Sequence, residues 1–465
     1  MSRKALGAIA VATALTVPWI GSVAGGAAGG FGTLTTVFVS GVAVLGASFL
    51  LTWGAETAEK DVPRAFAIAV LAVLAVAPEY AVDALYAWNA GAGGATTEAC
   101  AGLTPAEVEA QTTELARACH DANLAVANMT GANRILIGVG WAGIALFTIL
   151  RAGADRDTSV ERRDGVLADA VTLDRDIGLE MVFLLAATLW AFLVPLGGGI
   201  DALDTLVLVG LYVAYIGVIL RGEHDPSEEH TGVPAYLQGF RKPLRVATVT
   251  ALFAYSGLII FTAVEPFAHG LEDLGLRFGV PEFFMIQWIA PLASESPELI
   301  VVLVLVNKAR STTGFNALIS SKLNQWTLLI GTIAVVYSLG SGSYGVLPFD
   351  GKQGAEIWIT AAQSFFAIAL IVDFRISVRE AVVLFVLFVS QVVLEFLVVR
   401  DLVVLPVSTT ELLLAYTAVY VALGAGLLVA RRAALVGILR QTRGVVRSAV
   451  AGPAEAEADA DPGAD

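Results

Sequence analysis

Two short stretches decide how this chain folds: residues 71–83, LAVLAVAPEYAVD, and residues 290–302, APLASESPELIVV. Each places a Pro-Glu pair in the middle of a long apolar run, with the acids at Glu79 and Glu298. A proline inside a helix removes one backbone N–H and frees a carbonyl one turn earlier. A carboxylate beside a freed carbonyl, in a broken membrane helix, is the outline of a cation site.

The composition around these stretches is typical of a polytopic membrane protein. Of 465 residues, 57% are hydrophobic and only 15% are charged, against roughly 25% charged in soluble domains. The apolar residues form runs of about 20, the helix length that crosses a bilayer, whereas barrel strands require a strict alternation that is absent. The net charge of −14 argues against a nucleic-acid partner. We therefore predict an all-α protein embedded in the lipid bilayer.

The apolar runs and the charges between them predict an orientation. Most of the 28 Lys and Arg residues fall in segments that are cytoplasmic if the N-terminus is inside, although Arg134 and Lys322 lie within predicted spans. This places both termini in the cytoplasm and the protein in the plasma membrane. The predicted spans are 5–24, 31–55, 62–90, 122–150, 178–197, 202–221, 246–266, 279–307, 316–340, 354–373, 380–399 and 409–430.

The spans form two halves of similar sequence and opposite direction. Residues 50–79, LLTWGAETAEKDVPRAFAIAVLAVLAVAPE, are echoed by residues 261–298, FTAVEPFAHGLEDLGLRFGVPEFFMIQWIAPLASESPE. The first copy starts outside and the second inside, which is an inverted-topology repeat. The predicted units are an N-terminal span (1–30), a first half (31–221, repeat 62–150), a second half (246–400, repeat 279–340), a last span (409–430) and a tail (431–465) that is acidic and disordered at its end.

The N-terminal span has an alternative interpretation. Arg3 and Lys4 precede an apolar run and then small residues near Ala24, a pattern that is also found in cleaved signal peptides. Cleavage would leave eleven spans with unchanged directions.

Further polar residues accompany each Pro-Glu pair. A second acid lies about one helical turn away in each case, at Asp83 and Glu295, so that both acids of a pair face one side of the helix. Acids inside a span cost at least about 2.5 kcal/mol each and are therefore functional candidates. The next spans begin with small residues and amides, in residues 123–140 (NLAVANMTGANRILIGVG) and 314–331 (GFNALISSKLNQWTLLIG). Their neutral oxygens suit a cation.

These motifs resemble the two repeats of the calcium/cation antiporter superfamily, the group of sodium/calcium exchangers and their relatives. That family carries a GTSxPE-like motif followed by a GNxxGSN-like helix in each repeat. This chain has LAVAPEYAVD with ANMTGAN (127–133) in the first repeat and ASESPELIVV with ALISSK (317–322) in the second. The resemblance implies a core of five plus five inverted helices, broken at the midplane, with one extra helix at each end.

The resemblance also assigns ligands residue by residue. Glu79 and Glu298 match the paired acidic ligands that would hold a metal cation between the repeats, and Asn128 and Asn133 match the family's helix amides. The transported Na⁺, Ca²⁺ or H⁺ would be the only bound ions, and no cofactor is expected.

The chain departs from the family pattern in ways that change the charge of the site. Ala75 and Val76 replace the Thr and Ser of the first motif, while Ser294 and Glu295 stand in the second. With Asp83, these two are further expected ligands of the ion. Lys322 replaces the last Asn of the second repeat. Four carboxylates then face one ammonium, so several must share protons or a cation. We expect Lys322 to be a counter-cation that reaches toward the central acids; the alternative is a fixed pair with a neighbouring acid such as Glu295.

Both cysteines fall in the connection 92–121, which the predicted orientation places outside the cell. A disulfide between Cys100 and Cys119 is permitted there, and two free thiols are the alternative. Too few ligands are near for a metal site. A short surface helix is predicted from Pro105 to about Ala118, because Thr-Pro and a following Glu form a capping box.

The sequence is thus interpreted as a secondary antiporter that exchanges Na⁺ or Ca²⁺ against Na⁺ or H⁺ by alternating access. Neither a phosphate-binding ATPase loop nor a hydrolase motif occurs in it, which disfavours a pump or an intramembrane enzyme. A non-transporting receptor or scaffold and a passive cation channel of the same fold are the alternatives. Neither of these needs two proton-titratable carboxylates facing each other.

Overall fold

The computed structural model describes most of the chain. The first part of the predicted third span (62–76, with Ala75 and Val76) and the acidic tail beyond residue 451 lie outside the described residues. The described ranges are 2–25, 31–58, 60–61, 77–151, 158–221, 232–307, 309–403 and 406–451.

Helices make up nearly all of the described chain. The α-helices are α1 Ser2–Ala24, α2 Thr33–Ala58, α3 Ala77–Ala92, α4 Thr97–Ala101, α5 Pro105–Ala110, α6 Glu114–Ile135, α7 Ala142–Arg151, α8 Gly178–Ala191, α9 Ala202–Arg221, α10 Val233–Gln238, α11 Lys242–Phe278, α12 Glu282–Phe284, α13 Ala290–Asn307, α14 Ser311–Asn324, α15 Ile330–Ser341, α16 Gly351–Ile371, α17 Val378–Val399, α18 Thr409–Ala430 and α19 Arg432–Ala451. The strands are β1 Val160–Glu161, β2 Ala170–Thr172, β3 Gly199–Ile200, β4 Leu347–Pro348 and β5 Arg375–Ser377.

The predicted all-α membrane architecture is confirmed. Within the described residues, ten helical segments are long and apolar enough to cross a bilayer. They match every predicted span except the third, which is described only from Ala77, and the eighth, which carries the acids Glu295 and Glu298.

The two repeats share an irregularity at the same place. A π-helical turn, Leu136–Trp141, joins α6 to α7, and another, Gln325–Leu329, joins α14 to α15. A third π-turn, Met285–Ile289, precedes α13. The backbone of α13 stays helical through position 297, so the departure from α-helical geometry precedes the Pro-Glu pair by about two turns. Such π-turns often mark functional positions in helices.

Three predicted boundaries are corrected by the structure. The surface helix that starts at Pro105 ends at Ala110 and not near Ala118, because Gln111 adopts a left-handed conformation with φ 51°. Thr113 then accepts a hydrogen bond from a backbone N–H and starts α6 eight residues earlier than predicted. In the same way α11 extends to Phe278, well beyond the predicted end of its span at Pro266, since a membrane helix tolerates an internal proline.

Helices α1, α2 and α11 pack together along their lengths through glycines. A Cβ on Gly46 would lie 2.5 Å from the Ala12 carbonyl oxygen, so small residues permit this close packing. At one end of the group, the Arg245 guanidinium bonds to the Asp61 carboxylate at 2.5 Å. That hydrogen bond holds the pKa of Asp61 below its usual value.

Helices α6 and α16 form the buried centre of the molecule. Nearly all of α6 from Cys119 onward and most of α16 are buried. Gly131 of α6 lets the backbone approach the second repeat closely, since a Cβ there would lie 1.8 Å from the Gln287 carbonyl oxygen. The first repeat thus packs directly on the π-turn that precedes α13.

Small sheets and a terminal helix, none of them predicted, tie the connections together. Strand β2 pairs antiparallel with β1 and β5, and β3 pairs with β4. Helix α19, assigned to the tail from the sequence, packs on α8 through a hydrogen bond from Thr442 Oγ1 to the Gly178 carbonyl oxygen. Strand signals of two or three residues are too short to be recognised between apolar spans.

Cys100 and Cys119 form a disulfide with their Cα atoms 5.7 Å apart. We call the face of the protein that carries this bond the disulfide face. In the chain-entropy model, closing the loop stabilises by about 3 kcal/mol. We expect a membrane-impermeant maleimide added to intact cells to label neither cysteine before reduction and both after it. Labelling of both thiols in unreduced cells would contradict the bond, and labelling only from the cytoplasmic side would contradict the orientation.

Candidate functional site

Acids and hydroxyls from the two repeats meet between α3 and α13. Glu79 lies in the first turn of α3 and is only 3% exposed. The Ser294 side chain, on α13, lies within hydrogen-bonding reach of the Glu79 carboxyl group and also bonds to the backbone of its own helix. Glu298 is close enough to repel Glu79 electrostatically. The structure therefore brings together three of the residues predicted to bind the ion.

Glu298 has a hydroxyl partner on the next helix. Ser321 Oγ of α14 donates to Glu298 Oε2 at 2.9 Å. The sequence analysis missed Ser321, although it lies beside Lys322 in a polar stretch of the span. Glu298 is partly exposed, whereas Glu79 is buried, so the pair is accessible at its Glu298 end.

A second polar pair continues from Glu79 along the first repeat. Asn128 Nδ2 of α6 donates to Asp83 Oδ1 at 2.8 Å, and both side chains are at most 2% exposed. Asp83 Oδ2 and Asn128 Oδ1 have no hydrogen-bond partner among the described residues. Buried polar atoms of this kind usually have a partner, so these two oxygens can accept a proton donor or a cation.

The second repeat contains a matching pair. Gln325 Nε2 donates to Glu295 Oε1 at 2.5 Å, and both residues are 1% exposed. Gln325 begins the π-turn between α14 and α15. The sequence analysis predicted Glu295 but not Gln325, because an amide within a span is a weaker signal than an acid.

Lys322 is fully buried and its hydrogen bonds cross to the first repeat. Its Nζ donates to Asn133 Oδ1 at 2.7 Å and to the Asn133 carbonyl oxygen at 3.3 Å. It also lies over the Trp326 ring, 4.2 Å from the centroid. The ammonium is thus held by an amide, where the sequence led us to expect hydrogen bonds to carboxylates.

Among the described residues, the acids alone do not form a preformed metal site. In the described part of the chain, no three His, Cys, Asp or Glu side chains converge as such a site requires. A cation held by Glu79 and Glu298 therefore needs hydroxyl or amide oxygens as further ligands. Ser294 and Ser321 already contact those two acids.

A cluster next to this site escaped the sequence analysis. Arg134, fully buried and adjacent to Asn133, pairs with Glu356 of α16 at 2.5 Å between Nη2 and Oε2. Its Nη1 donates to Gln391 Oε1 of α17 at 3.2 Å, and its guanidinium lies 4.6 Å from the centroid of a Trp288 ring. The signal was available, since each of these polar residues lies within an apolar span.

Comparisons with known proteins find a family model and solved structures that are similar to this chain. Residues 109–221 and 248–397 match the family model described as sodium/calcium exchanger protein. The crystal structure of the H⁺/Ca²⁺ exchanger CAX is 40% identical in sequence, has a TM-score of 0.80, and is matched over 96% of this chain and 99% of that chain. Native YfkE, at 14% identity and a TM-score of 0.54 over 84% of this chain and 99% of that one, supports the fold alone. Among curated protein sequences none matches this chain.

Proposed function

This chain belongs to the sodium/calcium exchanger family, and from that premise we propose that it exchanges Ca²⁺ for H⁺ across the plasma membrane by alternating access. It is a multi-pass membrane transporter and not an enzyme. The observation that carries the proposal is the contact of Glu79 with Ser294, because it joins the two repeats at a pair of acids. The 40% identity to an H⁺/Ca²⁺ exchanger supports the choice of ions.

Ca²⁺ fits the oxygens of the site. It takes six to eight oxygen ligands in flexible geometry, with carboxylates and neutral oxygens combined. Glu79 and Glu298 supply the charge, and Ser294 and Ser321 lie against them. An ion held by both repeats is released to one side only when the repeats move relative to each other, which is the basis of alternating access.

Protons are the counter-ions that the charges favour. Four acids of the two repeats lie close enough to repel one another, and the buried ammonium of Lys322 attracts one of them, Glu295. In the cation-free stage of the cycle they need protons, because unpaired carboxylates are costly away from water. Entry of Ca²⁺ displaces those protons, so the two fluxes are coupled. Na⁺ would require neutral oxygen ligands, but Asn133 Oδ1 already accepts a hydrogen bond from Lys322 Nζ.

Flux measurements in sealed vesicles test the proposal. We expect an outward H⁺ gradient to drive Ca²⁺ uptake into proteoliposomes, with the internal pH rising as Ca²⁺ enters, and a protonophore to abolish the uptake. Protein-free liposomes are the control. Uptake driven by a Na⁺ gradient but not by an H⁺ gradient would contradict H⁺ coupling. Ca²⁺ flux without counter-ion would indicate a channel, and the absence of any flux a receptor or scaffold.

A further inference from the structure

A second pair of acids lies outside the cation site, between α16 and α17. Glu356 and Glu395 are both fully buried, and their carboxyl groups are within hydrogen-bonding distance of each other. Glu356 Oε1 and Glu395 Oε1 have no hydrogen-bond donor among the described residues. Two carboxyl groups can form a hydrogen bond only if one of them carries a proton.

The cations around this pair do not replace that proton. Arg134 contacts Glu356 Oε2, while Gln391 Nε2 donates to Glu395 Oε2 at 2.8 Å. Lys352 Nζ lies 3.8 Å from Glu395 Oε1, but its side chain remains 27% exposed. One buried guanidinium thus faces two buried carboxylates, and one bound proton makes the buried part of the cluster neutral.

The helices packed on the pair bring few other charges to it. The titratable and polar side chains that face the cluster are Arg134 from α6, Lys352 and Gln363 from α16, Gln391 from α17 and Tyr420 from α18, with the aromatic rings of Phe283 and Trp288 beside the two cations. In the described part of the chain, the hydrogen bonds and ion pairs of the two acids go to Arg134, Gln391 and Lys352, and not to the residues assigned to the cation site.

Lys352 leads from this pair to the disulfide face. It is the second residue of α16, and the helix N-cap, Asp350, lines the same pocket as Cys100 and Cys119. The ammonium is held over the Phe283 ring, 3.6 Å from the centroid. The Lys352 side chain alone therefore separates water on the disulfide face from the Glu395 carboxyl group.

We propose that Glu395 binds one proton beside the Glu356 carboxylate, as a site separate from the cation site, and exchanges it with water at Lys352 on the disulfide face. The step moves only a proton: it passes from the Glu395 carboxyl group to water, which becomes hydronium, and the acid pair gains one negative charge. The inference rests on the proposed function only for its effect on transport.

The site is placed to act on cation binding through Arg134. Loss of the proton leaves a net negative charge beside this guanidinium. Arg134 directly follows Asn133, whose amide and carbonyl oxygens hold Lys322. Charges in a protein interior interact over several ångströms because screening there is weak. The proton concentration on the disulfide face would therefore change the affinity of the cation site for Ca²⁺. This effect adds to the direct competition of protons with Ca²⁺ for that site.

Glu395→Gln is the most selective variant for testing the proton site. It leaves the Arg134–Glu356 pair intact, and its amide can donate the hydrogen bond that the protonated acid donates. Glu356→Gln removes the partner of Arg134 and so perturbs folding more. Glu411→Gln is the matched control, since Glu411 is an exposed capping residue of α18.

Two measurements on the purified, full-length transporter separate this inference from the proposed function. Infrared difference spectra against pH report protonated carboxyl groups without any transport. We expect Glu395→Gln to lose one titrating band that the wild type and Glu411→Gln retain. In proteoliposomes, we expect the exchange rate of the wild type to change about tenfold per pH unit on the disulfide face. For Glu395→Gln we expect the change to be less than about threefold.

The outcomes are distinct. Identical infrared titrations for the wild type and Glu395→Gln would overturn the proton site, whatever the transport result. If the wild type shows no Ca²⁺/H⁺ exchange but Glu395→Gln loses the band, the proposed function fails and the proton site stands. A lost band with an unchanged pH profile would overturn the effect on the cation site.

Discussion

Glu79→Gln and Glu298→Gln should each reduce Ca²⁺/H⁺ exchange by at least about 100-fold, which corresponds to ~2.7 kcal/mol. Each substitution keeps the shape of the side chain and removes its charge. Only a pair from opposite repeats can hold one ion between the halves, and Ser294 already joins the α13 side to Glu79. The loss of one carboxylate from a divalent-cation site of low polarity easily exceeds this energy.

The initial rate of Ca²⁺ uptake into proteoliposomes and Ca²⁺ binding by calorimetry would measure the effect. Glu109→Gln is the control, because Glu109 is exposed on a surface helix. Gel filtration and thermal unfolding would show that the variants fold. Exchange at the parental rate in both Gln variants would make the assignment of the cation site wrong.

Much of this arrangement could be predicted from the sequence because acids are rare in apolar runs. Glu79, Asp83, Glu295 and Glu298 stand out against their spans, and the inverted order of the repeats implies that they meet. The structure places Ser294 at Glu79 and Asn128 at Asp83. Local sequence fixes which acids share one face of a helix. The resemblance to the antiporter family, and not local sequence, predicted the amide and hydroxyl partners on other helices.

The missing partners depend on packing between distant segments. Ser321 and Gln325 are ordinary polar residues of a span until α14 lies against α13. The partners of Arg134 come from two helices more than 200 residues later in the chain, Glu356 on α16 and Gln391 on α17. No local pattern encodes such contacts, although an acid or a guanidinium within a span predicts that a partner exists.

Lys322→Asn is expected to strengthen Ca²⁺ binding about tenfold or more and to reduce the number of protons moved per Ca²⁺. The wild-type ammonium occupies Asn133 Oδ1 and lies over Trp326. Removing its charge leaves the acids of the site less compensated, so a divalent cation gains attraction; a tenfold change needs only ~1.4 kcal/mol. The freed amide oxygen of Asn133 also becomes available to an ion.

Lys322→Met separates the loss of the charge from the gain of a new amide at position 322, since it frees Asn133 Oδ1 in the same way and keeps an unbranched apolar side chain over Trp326 but adds no amide. Both variants should bind Ca²⁺ more tightly if the charge is responsible, and only Lys322→Asn should do so if an additional amide ligand is responsible. Lys242→Asn is the control, because Lys242 is exposed at the start of α11. Calorimetry against pH and paired Ca²⁺ and H⁺ fluxes give the readouts.

If both variants fold and exchange with unchanged affinity and unchanged pH dependence, Lys322 is a fixed structural contact of Asn133 and not a counter-cation. The assignment of Glu79 and Glu298 would survive that result, because it does not depend on the ammonium.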